Sequence, residues 1–155
     1  MKATLLHVLF AALCAGFWCS QPAGAAQCTA AGLTGNWGYT YNGTVYVPDA
    51  TAVAAVGHFT LHLNGNVSGT QTHALGGQPE VENISGVATV NPDCTGTATI
   101  NVSLNGQLIR TAVLNIVYDE NEKHARMIFV SITLPGDVNV PPVITLDANR
   151  IGAKD

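Results

Sequence analysis

Residues 34–47 read TGNWGYTYNGTVYV, and the alternation inside this stretch decides the fold class. Trp37, Tyr39 and Tyr41 recur at every second position, while Asn36, Thr40 and Asn42 hold positions of the opposite phase. Successive side chains of an extended chain point to opposite faces. Three aromatic rings therefore share one side of a strand, and three polar groups lie on the other. Gly43 breaks the run and predicts a bulge or bend, and Pro48-Asp49 ends it.

The same period of two recurs outward from this strand, and no segment sustains a helical period. Strands are predicted over Val53–Leu63, Val67–His73, Val81–Val90, Thr95–Leu104, Gln107–Tyr118, Ala125–Leu134 and Val143–Arg150. Between them stand short turn signals: Asn64-Gly65-Asn66, Gly76-Gly77-Gln78-Pro79, Asn91-Pro92-Asp93, Asn105-Gly106, the polar segment 119–123, and Pro135-Gly136. Asn-Gly between alternating runs is the strongest short-range hairpin signal. Eight strands joined mostly by tight turns pair as antiparallel neighbours. Closing them into a barrel removes the exposed sheet edges. The expected fold is all-β, a closed antiparallel barrel of about eight strands, with a two-sheet β-sandwich as the alternative.

The N-terminal stretch MKATLLHVLFAALCAGFWCSQPAGAA has the three parts of an export signal. Lys2 supplies the charged start, Ala3 to Trp18 an uncharged apolar run, and Ala23–Ala26 the small residues that suit cleavage. The run falls short of the ~20 residues that span a bilayer. Residues 1–26 are read as a signal peptide, cut after Ala26 or Ala25, and 27–155 as a single domain. The implied location is secreted, periplasmic or extracellular, with no membrane role after cleavage. Of the four cysteines, Cys14 and Cys19 leave with the signal, so an oxidising compartment permits one pairing, Cys28–Cys94.

Charge excludes some partners. Six Lys and Arg face ten Asp and Glu, and beyond the signal the basic residues (Arg110, Lys123, Arg126, Arg150, Lys154) are scattered. A nucleic-acid surface needs them clustered. The sixth strand is apolar on both sides: Ala112, Leu114, Ile116 and Tyr118 on one, Ile109, Val113 and Val117 on the other. A strand of that kind needs cover outside the barrel as well as inside, which implies a homo-oligomer, either dimer or trimer.

Candidate chemistry is sparse. Nucleophile-elbow, phosphate-loop and dinucleotide patterns are absent, and no cofactor is called for. His58 and His62 have the four-residue spacing of a helical metal pair, but Phe59 and Leu61 alternate with them as in a strand. Four residues along a strand put the two roughly 13 Å apart, so no metal site is expected. His73 and His124 lie near turns and complete no ligand set. The row Trp37, Tyr39, Tyr41 reads either as core or as an aromatic wall for a small molecule, with Tyr46 and Tyr118 extending it. Arg110 is in phase with apolar neighbours and must be paired or meet a ligand. Glu82, in phase with Ile84 and Ala88, is the matching anion. Asp147 and Arg150 are weaker candidates.

Three stretches, GNWGYTYNGT at 35–44, NGNVSGT at 64–70 and VNPDCTGT at 90–97, resemble a group of small exported bacterial proteins, mostly uncharacterised, of the allene-oxide-cyclase-like (calycin-type) β-barrel. That shape also houses bacterial cyclases and a phenazine demethylase. The resemblance spans most of the chain after the signal and rests on turns, bends and a cysteine, so it implies a barrel and transfers no catalytic set. The opening LTGNW at 33–37 is also similar to the first strand of avidin-like barrels, without the rest of the biotin-site pattern. Three functions follow as expectations. The first is a barrel binding a small apolar or aromatic molecule through Trp37, Tyr39, Tyr41, Glu82, Arg110 and Tyr118. The second is a metal-independent cyclase- or isomerase-like enzyme. The third is a structural or interaction protein with a filled core.

Overall fold

The computed structural model describes residues 27–152. The signal expected over 1–26 lies outside the described residues. A one-turn helix α1 (Ala30–Leu33) precedes nine strands: β1 (Gly35–Val47), β2 (Asp49–Leu61), β3 (Asn66–Leu75), β4 (Gln78–Ala88), β5 (Thr95–Leu104), β6 (Gln107–Asp119), β7 (His124–Leu134), β8 (Val138–Val140) and β9 (Pro142–Arg150). No helix among the described residues is long and apolar enough to cross a membrane.

Each strand from β1 to β7 pairs antiparallel with the next, and β9 pairs with both β1 and β7. Eight strands thus close into a barrel, and the sandwich alternative is set aside. β8 is an extra strand that runs beside Ile132–Leu134 of β7 only. β7 serves both neighbours because it is bulged: Val113 faces Ser131 while Leu114 faces Phe129, leaving Val130 as the added residue. A bulge bends the strand and sharpens its twist.

The eight long strands fall close to their sequence-predicted positions, with three differences. β2 begins at Asp49, four residues earlier than expected, because Val47 already pairs with Asp49 across Pro48. Proline lacks an N–H, so it sits at the junction without costing a ladder bond. The short β8 carries too few residues to show a period. The turn of helix α1 depends on its cap, the Thr29 side chain accepting from the Gly32 N–H at 2.9 Å. Asn105 and Gly106, by contrast, behave as read: both have positive φ, 51° and 81°, as the mirror-image hairpin turn demands.

Helix α1 plugs one end of the barrel. Leu33 is fully buried, and its carbonyl accepts from Trp37 Nε1 at 3.1 Å. Arg150, at the end of β9, donates to the carbonyls of Gly32 and Thr34, and Glu122, in the β6–β7 turn, accepts from the Thr29 N–H at 2.7 Å. Cys28 is disulfide-bonded to Cys94 in the β4–β5 turn. The plug is therefore tied to three separate places on the rim.

Inside the barrel, bulk on β1 is matched by small residues opposite. Gly57 faces Tyr39 across the β1–β2 ladder, and a Cβ there would lie 2.8 Å from the Tyr39 ring carbon Cζ. It would also meet the Thr70 carbonyl oxygen at 2.7 Å and Gln71 Cβ at 2.8 Å, so β3 and the phenol together leave room only for glycine.

The disulfide closes a 66-residue separation, for which loop entropy gives about 4 kcal/mol. Replacing both Cys28 and Cys94 with Ala is expected to lower unfolding stability in guanidinium by about that amount, with the barrel's circular dichroism retained. A loss below about 1 kcal/mol would show that the other two ties hold the plug alone.

Candidate functional site

The interior has an apolar half and a polar half. Toward the plug, Trp37 is 1% exposed; it stacks on Phe59 with ring centres 6.1 Å apart and meets Tyr118 at 6.5 Å. Tyr39 and Tyr41 stand above it, nearly parallel and 6.5 Å apart, and Phe129 meets Tyr41 edge-on at 5.3 Å. A cavity of about 70 Å³ lies among these rings. Its remaining wall is aliphatic apart from Gln71 and Arg110.

The polar half is built around one carboxylate. Glu82 on β4 is 1% exposed, a position in which a charge must be both paired and hydrogen-bonded. Arg110, on β6, donates to its two oxygens at 2.7 and 2.6 Å. Gln71 Nε2, on β3, donates to Oε2 at 2.6 Å, and His73 Nδ1 lies 3.4 Å from Oε1. The network then reaches the aromatic wall: the Tyr39 hydroxyl donates to Gln71 Oε1 at 2.7 Å, and Gln71 Nε2 lies 3.5 Å from the Tyr41 oxygen.

Protonation follows from these contacts. Burial opposes ionisation of Glu82, but hydrogen bonds from His73, Arg110 and Gln71, with the Arg110 charge, hold its carboxyl down at about 2. Arg110 is likewise disfavoured by burial, yet the Glu82 hydrogen bond raises it above its ordinary range. Burial raises the Tyr39 and Tyr41 hydroxyls and pushes Tyr118 up to about 12. At neutral pH the site is thus an ion pair behind neutral phenols.

The structure brings the residues singled out in the sequence together, with distinct placements. Trp37, Tyr39, Tyr41, Tyr118 and Arg110 all line the cavity. Glu82 stands behind Gln71 and Arg110, and the Arg110–Glu82 pairing suggested by strand phase is present. Tyr46 is a correction. It points outward and is about half exposed, since its even number puts it out of phase with Trp37, Tyr39 and Tyr41 on β1. Gln71 was not anticipated, although its phase with Val67 and Gly69 marks it as inward.

The histidines divide. His58 and His62 are exposed on the outer face of β2 and just past its end, as the strand reading required. His73 and His124, expected near turns and in no ligand set, are both buried in networks. Asp119, Glu120 and His124 bring three donor atoms within 4.8 Å of one another, but both His124 ring nitrogens are engaged, Nδ1 with Asp119 at 2.5 Å and Nε2 with Asp147 at 2.8 Å. A ring bonded to a carboxylate at each nitrogen is favoured as the imidazolium. The Asp147 bond leads in raising its pKa, against burial and helped by Asp119. This cluster clamps β6, β7 and β9 together at the plugged end. Asp147 and Arg150 thereby take structural places, in the clamp and under the helix.

Fold and interior together define a closed eight-stranded antiparallel barrel with an aromatic-walled cavity over a buried ion pair. No family model matches the chain, and no curated protein matches it. Among solved structures, a redesigned beta barrel, mFAP1, bound to DFHBI is similar at 21% identity over 79% of this chain and 98% of that chain, with a TM-score of 0.48.

Removing one partner of a buried pair strands the other, at about 3–5 kcal/mol. Arg110→Met and Glu82→Gln are each expected to lose stability on that scale, and the double variant Glu82→Met with Arg110→Met to recover most of it. Because Glu82 is held below its unfolded value, its contribution is complete above the ordinary carboxylate range. That contribution, about 3 kcal/mol, is lost as pH falls from about 5 to about 2. Denaturant titrations across that window measure it. An Arg110→Met protein with wild-type acid sensitivity would contradict the pairing.

Proposed function

We propose that this protein is a secreted barrel that binds a small apolar or aromatic molecule in its interior, against Trp37, Tyr39 and Tyr41. The observation that carries the reading is the cavity of about 70 Å³, walled by aromatic rings with Gln71 and Arg110 at one side. Binding sites characteristically combine a mostly apolar lining with a few placed polar groups. Sequence resemblance to the allene-oxide-cyclase-like group is consistent with such a use.

The space is about half the ~150 Å³ of an apolar cavity that admits benzene. A ring enters only if the wall yields. Met127 is the natural wall segment to move, being partly buried against the core and having three rotatable bonds. The barrel-enzyme reading is less well supported. General acid–base work needs a group free to take or give a proton at the substrate, whereas Glu82 is ionised and fully hydrogen-bonded. Arg110 commits both terminal nitrogens to Glu82.

Secretion through the 1–26 signal and self-association belong to the same reading. Val117, Ile128, Val130 and Val143 are all about half exposed or more on neighbouring strands of the barrel's outer surface, where a second copy would cover them. Sedimentation of the purified protein is expected to show a dimer or trimer, and a strictly monomeric species at high concentration would remove that part of the proposal.

Ligand binding is tested by titrating the protein with benzene, toluene and indole, followed by ligand-observed NMR. Saturable binding is expected, and filling the cavity with Ala98→Leu is expected to abolish it at about 1–3 kcal/mol of overpacking. If none of the three binds, or if Ala98→Leu binds as wild type does, the interior is not the site.

A further inference from the structure

The buried network has a direction, and following it identifies what is left over for a ligand. Glu82, as a carboxylate, only accepts. Gln71 must therefore turn its amide nitrogen toward Glu82, which leaves its amide oxygen to accept from Tyr39. The Tyr39 proton is spent in that bond. Tyr41 stands at the other branch. Its oxygen lies 3.5 Å from the Gln71 amide nitrogen, which donates toward it, and Arg110 shares the same wall. A donor aimed at the phenol oxygen turns the phenol's own proton elsewhere. Among the described residues the Tyr41 hydroxyl hydrogen meets no acceptor, and Tyr41 lines the cavity.

Charge completes the selection. Any remaining Arg110 N–H groups add donors, and the guanidinium charge is already matched by Glu82. An anionic ligand would have to compete with Glu82 for Arg110 and leave a carboxylate buried without its partner, which is costly. A cationic ligand would meet donors on Arg110 and Tyr41 and no free anion.

Resting on the binding reading above, we infer that the cavity selects a neutral aromatic molecule carrying a hydrogen-bond acceptor, which the Tyr41 hydroxyl reads by donating to it. A carbonyl, ether or ring nitrogen meets the requirement; a carboxylate or an amine cation does not.

Benzene and pyridine differ in shape by almost nothing and in this one acceptor, so they isolate the contact. Their affinities for the full chain and for Tyr41→Phe, measured at neutral pH by ligand-observed NMR, form a double-variant cycle. Tyr41→Phe is expected to weaken pyridine about fivefold, the scale of one neutral hydrogen bond, and to leave benzene within about twofold. Tyr46→Phe, which removes a hydroxyl on the outer surface of the barrel, is expected to leave the pyridine-to-benzene ratio unchanged. In the unmodified protein, the ¹⁵N resonance of bound pyridine should move upfield as it does for a hydrogen-bonded ring nitrogen, a readout that survives if either variant fails to fold. Benzoate is expected to bind more weakly than benzene.

An equal loss of benzene and pyridine in Tyr41→Phe, or no loss of either, overturns the assignment to Tyr41 while leaving the cavity as a binding site. Benzoate binding tighter than benzene overturns the neutral class. Failure of both benzene and pyridine to bind the unmodified protein overturns the underlying binding reading instead.

Discussion

The interior of an eight-stranded barrel is just wide enough for side chains to fill, and every large residue placed in it must be answered by a small one. This constraint organises the molecule. β1 spends its inward positions on Trp37, Tyr39 and Tyr41, and the facing strands respond with Ala55, Gly57, Ala88, Ala98, Ala112 and Ala148 at interior positions. The match is near to complete but not total. The residual space lies among the rings, with the flexible side chain of Met127 in its wall. A few methylenes more would make this an ordinary packed barrel.

The same confinement explains the polar half. An eight-stranded interior leaves no room for bulk water around Glu82, so each carboxylate lone pair must be answered by protein. Arg110, Gln71 and His73 do so from β6 and β3, on either side of the Glu82 strand β4 in the sheet. With the carboxylate fixed as an acceptor, the proton positions of Gln71, Tyr39 and Tyr41 follow in order. The ion pair is thus less a stabilising device, since buried pairs seldom outdo apolar packing, than the element that orients the hydroxyls of the aromatic wall. At the opposite end, Arg150, Glu122 and the disulfide hold the plug that closes the cavity from below.

Much of this was legible from single residues. Strand alternation placed Trp37, Tyr39, Tyr41, Arg110, Glu82 and Tyr118 inward, and put His58 on the outer face of a strand rather than on a helix. Cysteine counting gave Cys28–Cys94. The misses have physical causes. Tyr46 was grouped with the aromatic row by chemistry although its phase opposed it. Gln71 was overlooked because a glutamine between polar neighbours carries no apolar contrast, so the alternation of β3 was faint at the position that matters. The partners of His73 and His124 stand across turns or on other strands, Glu82 on β4, Asp119 on β6 and Asp147 on β9, so no run of sequence shows them together.

What the amino-acid order determined alone is the set of properties that depend on neighbours along the chain: which residues extend, which turn, and which face each side chain takes. Those follow from the two-residue repeat and from Asn-Gly and proline chemistry, and need no distant partner. Which inward residues touch was decided only by closure. Contact between Glu82 and Arg110, or between Trp37 and the carbonyl of Leu33 in the plug, depends on register summed around eight strands and on a bulge at Val130. A one-residue slip anywhere in that ring would exchange interior for exterior on a strand. The tertiary fold, by fixing the register, turned a list of inward residues into one oriented network around a cavity.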